Sequence, residues 1–241
     1  MRPFDERDPG ASRAFTVYGI APSEVATAFA RVPGGLKEFG LQIRRAREGS
    51  IVIVSRDRLV PDEPGGMGDW LESTFGGERV AEGKKDLGAL VVDELSNRGY
   101  RLAAAESCTG GMLGARITSV VGSSSVFWGS VVSYADEAKR TVLAVSEDAL
   151  RRHGAVSEAV VREMAEGVRQ LSGAHVTVAI SGVAGPGGGT KEKPVGTVWI
   201  ACADRGAMVT RRFRFAGSRS RVRRDAVIES LLLIRSRLLS G

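Results

Sequence analysis

From Asp86 onward the chain alternates between helical and apolar extended patterns, and this alternation constrains the fold more than any other feature. Helices and strands in regular succession cannot bury their apolar faces except by stacking as layers. DLGALVVDELSNRG puts Leu87, Leu90, Val91 and Leu95 on one helical face and stops at Gly99. YRLAAA reads as a short strand, and AESCTGG leads into a helix containing Leu113 and Ile117. VFWGSVVSY is a strand and DEAKRTVLAV a helix. Two further helices follow, SEDALRRHG with Ser146 as N-cap and SEAVVREMAEGVRQLSG with Ser157. HVTVAIS and GTVWIACA read as buried strands, MVTRRFRF as an edge strand, and the region from about Ser220 as a long amphipathic helix. The expected fold is a layered α/β domain with helices packed on a central sheet.

Upstream the pattern differs. FTVYG reads as a strand, APSEVATAFARV as a helix entered through Pro22 and Ser23, and LQIRRAREGSIVIVSRD as a hairpin ending in the apolar run Ile51 to Val54. Together they predict a small α+β module. The stretch PDEPGGMG, Pro61 to Gly68, is too rich in Pro and Gly for a regular element. The expected organisation is a disordered lead-in over 1–13, the α+β module over 14–75, a linker over 76–84 and the α/β domain over 85–241.

Composition removes several function classes. The hydrophobic fraction is 43% and the charged fraction 26%, values of a water-soluble globular chain. No apolar run reaches the roughly 18 residues that span a bilayer, and MRPFDERDPGAS lacks the apolar core of a secretory signal. The expectation is a cytoplasmic protein without a membrane partner. Two cysteines, Cys108 and Cys202, and two histidines, His153 and His175, form neither Cys-x-x-Cys nor His-x-x-x-His, so no metal site and no cofactor are expected. The net charge of +6 is concentrated in RRAR near Arg44 and in RRFRFAGSRSRVRR, Arg211 to Arg224. Such clusters suit nucleic acid or phosphorylated metabolites, or are simply solvated.

Three stretches carry candidate chemistry. In AESCTGGMLGARI, Cys108 at a helix start would gain thiolate character from the helix dipole, but lacks a convincing histidine base. Ser107, Thr109, Gly110 and Gly111 suit instead a cradle for an anion or a polar amide, or a close-packed strand–helix corner. In SGVAGPGGGTKEKPVG, five glycines between Gly182 and Gly189 permit close backbone approach to a ligand after a buried strand, or form a plain crossover. In GSSSVFWGSVVSYADEAK, Ser124 precedes Tyr134 by ten residues and Lys139 by fifteen. A serine becomes a nucleophile beside a base, and lysine or tyrosine serves where the site suppresses the lysine charge. The same residues also fit a turn and a solvated surface.

The order AESCTGG, GSSSVFWGSVVSYADEAK, HGAVSE, ISGVAGPGGGTKEKPVGTVW, AGSRSRVR resembles the C-terminal domain of the CinA (competence/damage-inducible protein A) family, known as a nicotinamide mononucleotide deamidase. The resemblance runs from about Lys85 to the end. The preceding module is similar to the small KH-type domain of longer CinA proteins. Nothing resembles their large molybdopterin-cofactor-binding-type domain, so the associated ADP-ribose pyrophosphatase activity is not carried over. The resemblance assigns the nucleophile to Ser124, with Tyr134 and Lys139 as catalytic partners, and implies that Ser181, Gly182 and Arg219 join the cradle residues in binding substrate. Ser218 replaces the family's Asp in Gly-Asp-Arg, which leaves Arg219, Arg221 and Arg223 as candidates for the phosphate. Asp136 replaces a usual Asn.

The implied reaction is hydrolysis of the carboxamide of nicotinamide mononucleotide to nicotinic acid mononucleotide and ammonia, without metal or organic cofactor. The implied partners are a small-molecule nucleotide and a second copy of the chain in a homodimer or higher homo-oligomer. Two alternatives come from other classes. One is nucleic-acid binding through the KH-like module, whose motif support is the Gly-x-x-Gly of Gly65 to Gly68. The other is a catalytically idle scaffold.

Overall fold

The computed structural model describes residues 13–32, 41–46, 48–54, 66–83 and 85–240. The chain divides into two compact units, Met1–Leu87 and Gly88–Gly241. The expected lead-in falls almost wholly outside the described residues, as do residues 61–65 of the Pro/Gly-rich stretch.

In the first unit, β1 (Arg13–Tyr18), β2 (Leu41–Ala46), β3 (Gly49–Val54) and β4 (Val80–Glu82) form an antiparallel sheet in the order β2-β3-β1-β4. Helices α1 (Pro22–Phe29) and α2 (Gly66–Phe75) complete it. The strand, helix and hairpin lie where periodicity puts them. Gly66–Gly68 of the Pro/Gly-rich stretch, expected to be irregular, begin α2, and Val80–Glu82, within the expected linker over 76–84, form β4. Met67 and Leu71 of α2 are buried with Phe15, Val17, Val25, Phe29 and Val80 in the unit's core, and the Trp70 ring packs tilted against Phe29 with centroids 4.3 Å apart. β4 closes the sheet by pairing Val80 with Val17 and Glu82 with Phe15. Gly66 and Met67 are buried at the start of α2, so the Gly-x-x-Gly stretch is not an exposed loop there.

In the second unit, β5 (Leu102–Glu106), β6 (Phe127–Val132), β7 (Val176–Gly182), β8 (Thr197–Ala203) and β9 (Met208–Arg214) form a mixed sheet in the order β6-β5-β7-β8-β9. β5 is parallel to both β6 and β7, and β8 and β9 are antiparallel additions. The helices are α3 (Leu87–Asn97), α4 (Met112–Thr118), α5 (Asp136–Leu143), α6 (Glu147–His153), α7 (Glu158–Ser172) and α8 (Arg219–Leu239). Ser146 and Ser157 cap α6 and α7, accepting from the Ala149 and Val160 amides.

Period-2 alternation sorts the sheet's residues between two layers. Ala103, Ala105, Ala179 and Ala201 face α7, packing with Val160, Val161, Met164, Ala165 and Val168. Leu102, Ala104, Val178, Ile180 and Ile200 are buried on the opposite face. That face meets α8, which packs on β7, β8 and α4. α8 differs from the amphipathic expectation: every residue from Ala226 to Arg235 is buried. Its polar residues are satisfied internally, Ser230 donating to the Ala226 carbonyl at 2.7 Å and Arg235 Nε to Glu94 Oε1 at 2.9 Å. No helix among the described residues is long and apolar enough to cross a membrane.

The chain leaves β5 towards β6 on one side and returns beyond β5 to β7 on the other. The carboxyl ends of β5 and β7 therefore flank a switch point, where open α/β sheets form a crevice. One close approach fixes the helix bordering it. A Cβ built on Gly167 of α7 would lie 1.9 Å from the carbonyl oxygen of Leu143, the last residue of α5. We expect Gly167→Ala to cost about 2–4 kcal/mol by forcing α5 off α7. Urea unfolding of the full chain checks this, and a loss under about 0.5 kcal/mol would contradict the described packing.

Candidate active site

The turn after β5 is organised by a side chain that motif reading passed over. Glu106 is fully buried, and its carboxylate accepts from the Leu113 amide at 3.1 Å, the Gly114 amide at 2.9 Å and Ser130 Oγ at 2.8 Å. These are first-turn amides of α4, so the chain's own carboxylate fills the anion site that a helix start offers. The Gly110 and Met112 amides are also engaged, with the Ser107 and Thr109 carbonyls. AESCTGG is thus a braced corner as well as a candidate cradle. The signal for Glu106 was its position, an acidic residue ending an otherwise apolar strand.

Around this corner lie most of the residues singled out in the sequence. Glu106 pairs with Val132 across the parallel strands, and the Ser133 amide donates to the Glu106 carbonyl at 2.9 Å. The register continued by one residue sets Ser107 opposite Ser133. Ser107 is 8% exposed, and its Oγ makes no hydrogen bond among the described residues. Lys139, on the first turns of α5, is 1% exposed and donates to the Tyr134 carbonyl at 3.1 Å and Asp136 Oδ1 at 3.2 Å. Asp136 therefore forms an ion pair with the buried lysine. Arg219, at the start of α8, donates to Tyr134 Oη at 2.9 Å and to the Gly185 carbonyl at 3.1 Å, so β6's exit, the glycine loop and α8 meet at one point. Arg223, one helical turn on, donates to the Thr109 carbonyl at 2.6 Å.

Two expected binding residues have structural engagements. Ser181 Oγ donates to the Ala155 carbonyl at 2.7 Å. A Cβ on Gly182 would fall 2.7 Å from Val198 Cγ2 and 2.8 Å from the Thr197 carbonyl oxygen, so close strand packing accounts for this glycine.

Ser124 is the residue that one chain does not bring to the crevice. It lies in the short 3-10 turn Ser123–Ser125 before β6, exposed to solvent, whereas Tyr134 and Lys139 follow β6. The strand between has six residues. At about 3.3 Å per residue they span roughly 20 Å, far beyond the roughly 3 Å of a proton-transfer contact. Ser124 instead borders a cavity of ≈ 650 Å³ between α4 and β6, which it shares with Gly111 of the expected cradle and with Trp128 and Ser130.

Burial pushes the Cys108 thiol up to about 11, only partly offset by its own backbone amide and by Arg223 and Arg219, while Glu106 adds to the rise. Burial likewise raises Cys202 to about 12. A thiol this high stays protonated at neutral pH and is a poor nucleophile.

The fold and this constellation define an α/β domain with hydroxyl, amine and guanidinium groups gathered at the carboxyl ends of its parallel strands. Residues 84–238 match the CinA C-terminal domain, and the chain belongs to that family. It is 50% identical over 161 residues to a CinA-like protein of Anaeromyxobacter dehalogenans, covering 67% of this chain and 40% of that protein. It is 43% identical over 171 residues to a CinA-like protein of Syntrophomonas wolfei, covering 71% and 41%. The matched part thus spans about two fifths of the length of these curated relatives. Among solved structures, a competence-damaged protein (CinA) superfamily protein of Klebsiella pneumoniae superposes with a TM-score of 0.63 at 42% identity, covering 64% of this chain and 97% of that one. A competence/damage-inducible protein of Agrobacterium tumefaciens gives 0.62 at 35% identity, covering 64% and 93%.

The raised Cys108 thiol yields a direct check. In a Cys202→Ala background, alkylation of Cys108 by iodoacetamide should be slow at pH 7–8 and keep accelerating towards pH 11. A plateau by pH 8.5, the range of an ordinary free thiol, would show a reactive cysteine.

Proposed function

We propose that the chain hydrolyses the carboxamide of nicotinamide mononucleotide, and that its reaction centre is the crevice holding Ser107, Tyr134 and Lys139. The substrate comes from the family resemblance. The observation that carries the location is the buried Lys139 held at the Tyr134 carbonyl, across neighbouring strand ends from Ser107, whose hydroxyl has no partner among the described residues.

In this reading Ser107 Oγ attacks the amide carbon, and its proton passes to Lys139 Nζ, which reacts as the neutral amine. The tetrahedral intermediate collapses with cleavage of the C–N bond, and Lys139 returns that proton to the departing nitrogen to give ammonia. Water then adds to the acyl ester, and cleavage of the ester C–O bond releases the carboxylate and restores Ser107. Glu106 keeps Ser107 and Thr109 in place without touching substrate, because its carboxylate is already engaged by α4 and Ser130. Tyr134 is aimed by Arg219.

The resemblance places the nucleophile on Ser124, and a second copy of the chain gives that assignment a geometric route. Val121, Trp128 and Val132 are exposed near or along the edge strand β6, at 99%, 37% and 48%. A homodimer formed through antiparallel β6 edges would bring Ser124 of one copy towards Tyr134 and Lys139 of the other.

Ammonia release by the purified full chain tests the reaction. Ser107→Ala should lower kcat at least ~10³-fold with the fold intact, as should Lys139→Met, whereas Ser124→Ala should retain most activity. If Ser124→Ala is inactive and Ser107→Ala active, the nucleophile is Ser124. Recovery of activity on mixing Ser124→Ala with Lys139→Met chains would then place the site between two copies.

A further inference from the structure

The first turns of α8 carry four arginines, and their engagements divide their roles. Arg219 has one terminal nitrogen on Tyr134 Oη and the other on the Gly185 carbonyl. Arg221 is exposed and pairs with Asp225 at 3.3 Å, and Arg224 is exposed. Among the described residues, Arg223 is the arginine of this helix that hydrogen-bonds to the AESCTGG corner. Its Nη2 is held by the Thr109 carbonyl, and a Cβ on Gly110 would come within 3.3 Å of that nitrogen.

Among the described residues, two buried polar atoms at this place lack partners. Arg223 Nε is shielded from solvent with nothing to donate to, and Thr109, wholly buried, has an unpartnered Oγ1. A guanidinium N–H and a hydroxyl left unsatisfied in a protein interior are costly, and such groups are retained where a ligand or ordered water completes them. The helix-start amides cannot hold an anion here, since Glu106 already fills them. The corner's remaining capacity for negative charge is therefore the fork of Arg223, backed by the Thr109 hydroxyl.

We infer that Arg223, with Thr109, binds the anionic group of the substrate, a phosphate monoester, and that Arg219 is a positioning residue for Tyr134. This rests on the proposed substrate for its link to catalysis, but not for the anion site itself. The position matches the chemistry: a planar guanidinium binds phosphate through paired, charge-assisted hydrogen bonds, and the corner that carries Arg223's contact also carries Ser107.

The test uses the full chain with Arg223→Met, Arg223→Lys and Arg219→Lys. Calorimetric titration with ribose 5-phosphate, which has no amide, reads the anion site without chemistry. Binding should weaken roughly 10- to 150-fold in Arg223→Met, as expected for loss of a charged hydrogen bond, recover in part in Arg223→Lys, and change little in Arg219→Lys. In steady-state assays Arg223→Met should raise KM for nicotinamide mononucleotide and erase its preference over the phosphate-free riboside. Arg219→Lys should instead lower kcat for both substrates alike. Equal loss on mononucleotide and riboside in Arg223→Met, accompanied by a lower melting temperature, would make Arg223 a structural brace and overturn the inference. So would unchanged ribose 5-phosphate binding in Arg223→Met, or no binding to the wild-type chain. Absence of ammonia release with intact, Arg223-dependent ribose 5-phosphate binding would instead refute the proposed reaction and leave the anion site standing.

Discussion

The buried carboxylate of Glu106 is the constraint on which the candidate-site end of the domain depends. A carboxylate without solvent exposure is tolerable only when its oxygens are fully hydrogen-bonded. Here three donors come from two different elements, two amides of α4 and the Ser130 hydroxyl of β6, while Glu106 itself ends β5. One side chain thus locks strand, helix and neighbouring strand into a single corner. Removing it would leave two first-turn amides and a hydroxyl unpaired at the place where Ser107, Thr109 and Arg223 meet.

This constraint changes how the surroundings work. A helix start normally offers its free amides to an anion; here the chain has supplied that anion itself. Positive charge for a ligand must then come from side chains, and the arginine-rich first turns of α8 provide it. Arg219 reaches Tyr134 and the glycine loop, and Arg223 reaches the Thr109 carbonyl. The mixed sheet makes this possible, because β8 and β9 return the chain so that α8 begins at the carboxyl ends of β5 and β7.

Much of this was legible in the sequence, for physical reasons that also mark where legibility ended. Period-2 and period-3.6 patterns located the strands and most helices because each has one face turned to a layer. α8 escaped that logic because it is buried all round over Ala226 to Arg235. β4 escaped it because its three residues owe their conformation to pairing with β1, more than sixty positions away in sequence. Lys139 and Tyr134 were singled out from their motif. Their separation from Ser124 was also readable, since an extended strand between two residues holds them apart however close their numbers. Glu106 lacked a motif role, and its importance emerges only when its hydrogen bonds are followed.

The central claim is that the crevice at the carboxyl ends of β5, β6 and β7 is the reaction centre, with Ser107 as its nucleophile. Rapid acid quench of the full chain turning over nicotinamide mononucleotide, followed by tryptic peptide mass mapping, tests it most directly. Cleavage after Arg101, Arg116 and Lys139 places Ser107 and Ser124 on different peptides. The account predicts the acyl mass on the peptide from Leu102 to Arg116; finding it on the peptide from Ile117 to Lys139 would contradict it.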